Sequence, residues 1–390
     1  MANSFLSRVP GGPKTFGAFL MILVAYTLQT ESTQHIQHAL KFERPLFLLY
    51  VTHSSFASLL PMQLLALRLV YGSSISHNIS LLRRNLRSQI DSVRELCHLS
   101  PAQTKVQSYS TMAMIISLLT LGITIPAVSW FVALPLTSMA NVTSIYNTFS
   151  IWALVFSVAF LDEKWVYVCA ILIQYQAIAV VLGVVGVAMV AYGSTQPAAN
   201  ATMVVTPIVS HALIGNGMAL LGAVTMAAYE ILYKLIGTSP EASHAGFQPL
   251  ASSEEHAELA HTTESQQEET LPFGMHAIAM TSGIGAATLL GLWLMLAIAH
   301  FTGFETFELP HDRHTIAWIC LGVLCGVLFN GCFSILLSLW GPVLASMSCL
   351  LTTVLVQLVD LFFGVPFTWT TLVGCATITI SFVCLLPFYE

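Results

Sequence analysis

The chain has 390 residues, of which 56% are hydrophobic and only 8% are charged. An ordinary soluble domain is about 25% charged, so one soluble core of this size would leave large apolar patches exposed. The 13 Lys and Arg residues are scattered and the net charge is −6, which excludes the basic face of a nucleic-acid-binding protein.

Ten apolar stretches are each long enough to cross a bilayer as a helix, which takes about 20 residues. They are residues 16–36, 45–71, 110–131, 136–161, 170–193, 211–235, 274–300, 314–338, 341–363 and 368–388. The sequence therefore predicts an all-α polytopic membrane protein with ten transmembrane helices. Arg8 and Lys14 precede the first stretch as in a signal peptide, but no small-x-small cleavage site follows, so we expect a membrane helix there.

The distribution of Lys and Arg predicts the orientation, because cytosolic loops carry the excess of positive charge. With both termini in the cytosol, ten basic residues lie on the cytosolic side and only Lys41, Arg44 and Arg313 lie on the far side. Residues 1–15 then form a cytosolic tail and residues 72–109 a basic cytosolic loop, which either contacts anionic lipid or is simply solvated. Residues 194–210 form a lumenal loop, where Asn200 begins an N-glycosylation sequon.

The segment 237–272 contains seven Glu residues and few large apolar ones, a composition typical of a flexible linker. It follows the sixth stretch and lies on the cytosolic side. The eight cysteines form no CxxC pair, and the 13 histidines are scattered. We therefore expect no metal, no cofactor and no enzymatic centre.

The chain contains a weak internal repeat. ANVTSIYNT at 140–148 matches ASMSCLLTT at 345–353 in the order of its small, hydroxyl and apolar residues, and each is followed by an apolar run, a short connector and another apolar helix. Five helices per half, in residues 16–193 and 211–388, force the halves into opposite orientations, as in the inverted repeats of secondary transporters. The first half has an extra stretch at 166–177, which is either a genuine insertion or an error in the gene model.

Four stretches together resemble the drug/metabolite transporter superfamily of EamA type. They are RPLFLLYVTHSSFA at 44–57, ALPLTSMANVTSIYNTFSIWALVFSVAFLDEKW at 133–165, GNGMALLGAVTMAAYEILYK at 215–234 and ASMSCLLTTVLVQLVDLFFGVPFTWTTLVG at 345–374. Within that superfamily the chain is most similar to the branch of solute carrier family 35, subfamily F, and the fungal thiamine-repressible carrier-like proteins. The resemblance implies a ten-helix carrier of small metabolites in an endomembrane. Gly364-Val365-Pro366 departs from the pattern, because the superfamily has an acidic corner at that point.

Polar residues on a spanning helix usually face the interior of the bundle, because lipid does not solvate them. Three stripes at helical spacing are candidates for lining a substrate cavity, although small polar residues also serve helix packing. Their members are Asn141, Ser144, Asn147 and Thr148 in the fourth helix, Asn330, Ser334 and Ser338 in the eighth, and Ser346, Thr353, Gln357 and Asp360 in the ninth.

Three titratable residues are candidates for proton coupling, namely Asp360, Glu230 and His53. Glu230 and Lys234 are spaced i, i+4, which favours an ion pair over a role in a cavity. No basic residue lies well inside a helix, and this argues against a nucleotide sugar, whose diphosphate needs Arg or Lys partners.

The sequence thus predicts a secondary-active transporter of an unidentified small molecule in the vacuolar or Golgi membrane. Proton coupling, solute exchange and a homodimer all stay open. The alternative is a non-transporting endomembrane scaffold or trafficking regulator with the same fold, in which the acidic linker and the basic loop would be the working parts.

Overall fold

The computed structural model of the chain is described here for residues 12–133, 136–137, 139–161, 167–193, 208–238, 271–362 and 368–385. Within these ranges every regular element is a helix. The tail 1–11, most of the lumenal loop with Asn200, and the linker 239–270 lie outside the described residues.

Of the α-helices within these described ranges, eight lie in the first part of the chain and five in the second. The first eight are α1 (Gly12–Gln34), α2 (Pro45–Ser55), α3 (Leu59–Tyr71), α4 (Ile75–Leu96), α5 (Lys105–Ala133), α6 (Met139–Tyr146), α7 (Phe149–Phe160) and α8 (Tyr167–Gly193). A π-helical turn, His35–Ala39, extends α1, and a 3₁₀ turn, Phe56–Ser58, joins α2 to α3. Pro45 begins α2, where its missing N–H costs nothing.

The second part forms five more helices. They are α9 (Ile208–Leu232), α10 (Met275–Gly291), α11 (Trp293–Thr302), α12 (Arg313–Phe362) and α13 (Trp369–Leu385). A π-helical turn, Tyr233–Gly237, follows α9. Inside α12 the backbone bends sharply at Gly341, where φ is 78° and ψ is 175°, a conformation that almost only glycine adopts.

Seven helical segments of the described residues are long and apolar enough to cross a membrane. Their outward faces carry large apolar side chains such as Leu69, Leu213 and Phe301, each more than 70% exposed. Such an apolar surface is compatible with a lipid environment, whereas exposing it to water would be unfavourable. The all-α class of the prediction is confirmed, and so is the membrane-protein character at this level.

The spans differ in detail from the ten predicted helices. The predicted helix 136–161 is two helices, α6 and α7, which meet at a turn of Asn147 and Thr148. The predicted helices 314–338 and 341–363 form α12 with its bend at Gly341. The last predicted helix is α13, with 17 residues, shorter than a typical span. The break at Asn147 was not predicted, because Asn147 and Thr148 were interpreted as part of a polar stripe on one continuous helix.

Helices from the two parts of the chain pack against each other antiparallel. Along α1, the ring of Phe19 lies 5.6 Å from that of Trp340, while the ring of His35 lies 4.3 Å from that of Trp318. Residue numbers thus increase along α1 in the direction in which they decrease along α12, so the two helices are antiparallel. A Cβ on Gly122 of α5 would lie 3.1 Å from the ring of Tyr229 in α9.

Two further antiparallel pairs complete this arrangement. The hydroxyl of Tyr50 in α2 donates to the Leu289 carbonyl at 3.2 Å, and the amide of Gln63 in α3 donates to the Phe273 carbonyl at 3.1 Å. In the second pair, α8 meets α13: Gly186 faces Gly374 at backbone-to-backbone distance, and the Ser381 hydroxyl donates to a carbonyl of α8 at 2.5 Å.

The apolar core surrounds the bend of α12. Leu336, Leu337, Leu344, Met347 and Leu350, from both sides of Gly341, are fully buried. They belong to one cluster with side chains of α1, α5, α8, α9 and α13. The helices that carry the candidate site residues are therefore fixed around α12.

Candidate functional site

A chain of hydrogen bonds runs through Asn141, the first candidate in α6. Its amide nitrogen donates to the Thr137 hydroxyl at 3.0 Å, and its amide oxygen accepts from the Tyr192 hydroxyl of α8 at 2.5 Å. Thr137 in turn donates to the amide oxygen of Asn216 in α9 at 2.8 Å. Asn141 therefore ties α6 to two other helices, and its amide can exchange these bonds for bonds to a solute.

The other candidates of the fourth span make different contacts. The Asn147 amide donates to the Thr143 carbonyl at 2.8 Å, and the Thr148 hydroxyl donates to the Ile145 carbonyl at 2.6 Å. Both side chains thus bond to their own backbone at the break between α6 and α7. Ser144 is buried, and its hydroxyl has no hydrogen-bond partner.

The stripe of the eighth span, in the first part of α12, is mostly buried. Asn330 donates to the Gly326 carbonyl at 2.9 Å and Ser338 donates to the Ser334 carbonyl at 2.8 Å. The Ser334 hydroxyl also accepts a hydrogen bond of 2.8 Å from Thr281 of α10. Ser334 therefore links α12 to α10, which is a packing role.

The stripe of the ninth span follows Gly341. Ser346 is fully buried and its hydroxyl donates to the Val343 carbonyl at 2.8 Å. Thr353 and Gln357 are half-buried about two and three turns further on. Asp360 lies in the last turn of α12, and its side chain is outside the described residues.

Glu230 and Lys234 do not form the ion pair that their spacing favours, and that expectation is wrong. Lys234 is buried, and its ammonium group donates to the Ser338 carbonyl of α12 at 2.7 Å. Both carboxyl oxygens of Glu230 are buried without a hydrogen-bond partner. The π-helical turn that begins at Tyr233 changes the direction of Lys234, so the i, i+4 rule for a regular helix no longer applies.

His53, the third candidate for proton coupling, is buried in α2. Its ring packs against Phe56 with 5.0 Å between centroids, and its Nδ1 has no hydrogen-bond partner. Phe56 begins the 3₁₀ turn that brings the backbone close to Gly285 of α10. His53 thus lies beside the crossing of α2 and α10.

Two polar contacts were missed by the sequence analysis. Gln89 of the amphipathic helix α4 is buried, donates to the Ile236 carbonyl at 2.5 Å and bonds to the His276 ring at 2.9 Å. Glu305 accepts the backbone N–H groups of Leu46 and Phe47 at 2.8 and 2.9 Å. The amphipathic pattern of α4 could have placed Gln89 on the buried face of that helix. The residues around Glu305 give no indication of its contact with the beginning of α2.

No family model and no curated protein matches the chain. A protein of known crystal structure superposes on it with a TM-score of 0.52, over 96% of this chain and 97% of that chain, at 14% sequence identity. At that identity the likeness shows the fold alone. The arrangement of helices described above is therefore shared, from end to end, with a protein of similar length.

Proposed function

We propose that the chain is a secondary-active transporter of a small metabolite in an endomembrane, with both termini in the cytosol. It would work by alternating access, in which two bundles of five helices rock against each other around a central site. We also propose membership of the drug/metabolite transporter superfamily, on the strength of the four stretches that resemble it.

The observation that carries this proposal is the pattern of antiparallel pairs. The first predicted span packs on the eighth, through α1 and α12, and the third packs on the sixth, through α5 and α9. The two halves can be matched in order, so that the first span corresponds to the sixth and the third span to the eighth. Under this matching, the contact between the first and eighth spans corresponds to the contact between the sixth and third spans. The second span packs on the seventh and the fifth on the tenth, and each of these pairs is matched with itself.

Such a correspondence of contacts is what a two-fold axis in the membrane plane produces, and inverted repeats related by that axis are the usual construction of secondary transporters. The polar stripes of α6 and α12 lie on the helices around that axis. Most of their hydroxyls and amides have a hydrogen-bond partner in this structure, and they can exchange these bonds for bonds to a solute when the bundles separate.

The test is transport by the purified protein in liposomes. Vesicles containing the protein, and protein-free vesicles, are incubated with a cell metabolite extract, and mass spectrometry identifies solutes that accumulate only with the protein. Thr353→Val removes a hydroxyl of the proposed cavity without changing its volume, and we expect a lower rate for the accumulated solute. Leu358→Met, on the exposed face of the same helix, is the matched control and keeps the rate. Absence of any accumulated solute would contradict the proposal.

The second candidate function is a non-transporting scaffold, and α4 favours it. The side chains of Arg83, Arg84 and Arg87 are exposed on α4, whose opposite face packs on the bundle through Leu81, Ile90 and Val93. A surface of this kind suits contact with an acidic partner or an anionic membrane. Deletion of the acidic linker separates the two functions, as argued in the Discussion.

A further inference from the structure

Among the described residues, Glu230 is a buried acid whose charge the surrounding helices do not balance. It lies in α9 and is 0% exposed, and neither of its carboxyl oxygens has a hydrogen-bond partner. The nearest cation along the helix, Lys234, is bonded to the Ser338 carbonyl instead. Because Glu230 is fully buried, bulk water does not contact its carboxyl group.

The groups close enough to interact electrostatically with Glu230 are neutral. They are Tyr146 of α6, Cys349 of α12 and Tyr229 of α9, and Tyr26 of α1 interacts in turn with Tyr146. Three helices, α6, α9 and α12, thus contribute directly to the surroundings of the carboxyl group, two of them through a tyrosine.

The other helices that pack on α9 bring no charge to it. In α5 the titratable residues are Lys105 and Tyr109, both exposed in its first two turns, and the sequence of α7 contains none. An ionised carboxylate buried without a partner costs several kcal/mol, whereas the neutral acid costs much less. The closed form therefore holds Glu230 as the neutral acid.

We propose that Glu230 is the proton-binding site that couples the transport cycle. It carries a proton while the helices are packed as described, and it releases that proton to water only when α9 separates from α6 and α12. The inference rests on the proposed function, because it assigns the coupling ion of that transporter. The balance is simple: the acid O–H bond breaks, one proton passes to water on one side, and one is taken up from the other side in each cycle.

The protonation state is measured without a substrate, by infrared spectroscopy of the purified protein in nanodiscs. We expect a carboxylic-acid C=O band at neutral pH that shifts in deuterated buffer and is lost in Glu230→Gln. The band must persist in Asp360→Asn, the control for the other acid in a helix. If Glu230→Gln does not fold, Glu230→Asp serves, since it must move the band. Absence of an acid band that responds to these changes would overturn the inference.

The link between proton release and opening is measured at Cys349, which is buried beside Glu230, relative to the exposed Cys97. N-ethylmaleimide labelling of both is quantified by peptide mass spectrometry from mildly acidic to alkaline pH. At each pH the ratio of Cys349 to Cys97 is divided by the same ratio in the unfolded protein, which corrects for the intrinsic reactivity of the two thiols. We expect the ratio to rise several-fold with pH in the wild type and to stay flat in Glu230→Gln. A flat ratio in the wild type would overturn the coupling.

Neither measurement requires transport, so the two proposals fail separately. Solute accumulation in liposomes without an acid band at Glu230 would leave the transporter and remove its proton site. An acid band and a pH-dependent ratio without any transported solute would leave a proton-responsive membrane protein that is not a carrier.

Discussion

The polar side chains in the helices of this protein include two groups that differ in what they can do. Most hydroxyls and amides of the stripes, such as those of Thr148 and Asn330, bond to a carbonyl one turn earlier in their own helix. A few groups, notably Glu230 and Ser144, have no partner. The first group follows from sequence alone, because the partner is always local. The second group depends on which helices pack together. The sequence therefore identified Glu230 as a candidate, but it could not predict that its carboxyl group would have no hydrogen-bond partner.

Glu305 provides a prediction at this scale, because one carboxylate accepts two backbone N–H groups at the beginning of α2. Such charge-assisted hydrogen bonds at a helix N-terminus are among the stronger ones. We expect Glu305→Ala to lower the free energy of unfolding by about 2 kcal/mol. Thermal unfolding in detergent, followed by tryptophan fluorescence, would show this as a lower Tm.

The control for Glu305 lies three residues away. Glu308 pairs with Arg44 at 2.6 Å, but its side chain is 61% exposed. Exposed ion pairs contribute less than about 1 kcal/mol, so Glu308→Ala should leave Tm nearly unchanged. Equal losses in the two variants would show that the loop, and not the cap of α2, determines the stability.

Whole helices were largely predictable, and their irregularities were not. The apolar runs located the spans because lipid and core both require them, as in α5 and α8. The 3₁₀ turn at Phe56–Ser58 has no local signature: it lies where a Cβ on Gly285 would be 2.2 Å from the Ala57 nitrogen. The crossing of two backbones imposes this turn, and the crossing is a property of the pair of helices.

The crossing of α8 and α13 gives a prediction for a pair of helices. A Cβ on Gly186 would lie 2.8 Å from the Gly374 carbonyl oxygen, and a Cβ on Gly374 would lie 2.7 Å from the Gly186 carbonyl oxygen. Backbone atoms cannot move aside as a flexible side chain can. We expect Gly186→Ala to cost roughly 1–3 kcal/mol by forcing the helices apart. Thermal unfolding in detergent measures the loss.

Gly217 of α9 is the matched control, because a Cβ there meets nothing within 4 Å. Gly217→Ala should be neutral or stabilising, since alanine favours a helix over glycine by about 1 kcal/mol. A loss at Gly217 as large as that at Gly186 would attribute the effect to helix glycine in general and not to the crossing.

For the molecule as a whole, the sequence predicted an all-α protein with apolar spans, but it did not predict where α4 lies relative to the bundle. Composition indicated a membrane protein, and five predicted spans in each of the segments 16–193 and 211–388 led to the expectation that the halves have opposite orientations. The position of α4 was beyond reach, because its amphipathic pattern fits either the bilayer surface or the bundle. Gln89 decides this: its amide bonds to both Ile236 and His276.

The same contact predicts that the linker is dispensable for transport. Ile236 and His276 are held at the two ends of one side-chain amide, so the chain leaves and re-enters the bundle at nearby points. Deletion of 242–269 retains residues 237–241 and 270–275, eleven in all, which at about 3.3 Å each reach far beyond that separation. We expect the shortened protein to fold and to keep the accumulation measured in liposomes.

A scaffold predicts the opposite outcome for the cell. If the acidic linker binds a partner, the deletion should abolish the cellular phenotype of the protein, and a Gly/Ser linker of the original length should not restore it. A transporter tolerates both changes, because its working parts are the helices around α12. Loss of the phenotype with both linkers, together with unchanged Tm, would therefore decide for the scaffold, whereas an unchanged phenotype leaves the linker as a connection between the sixth and seventh predicted helices.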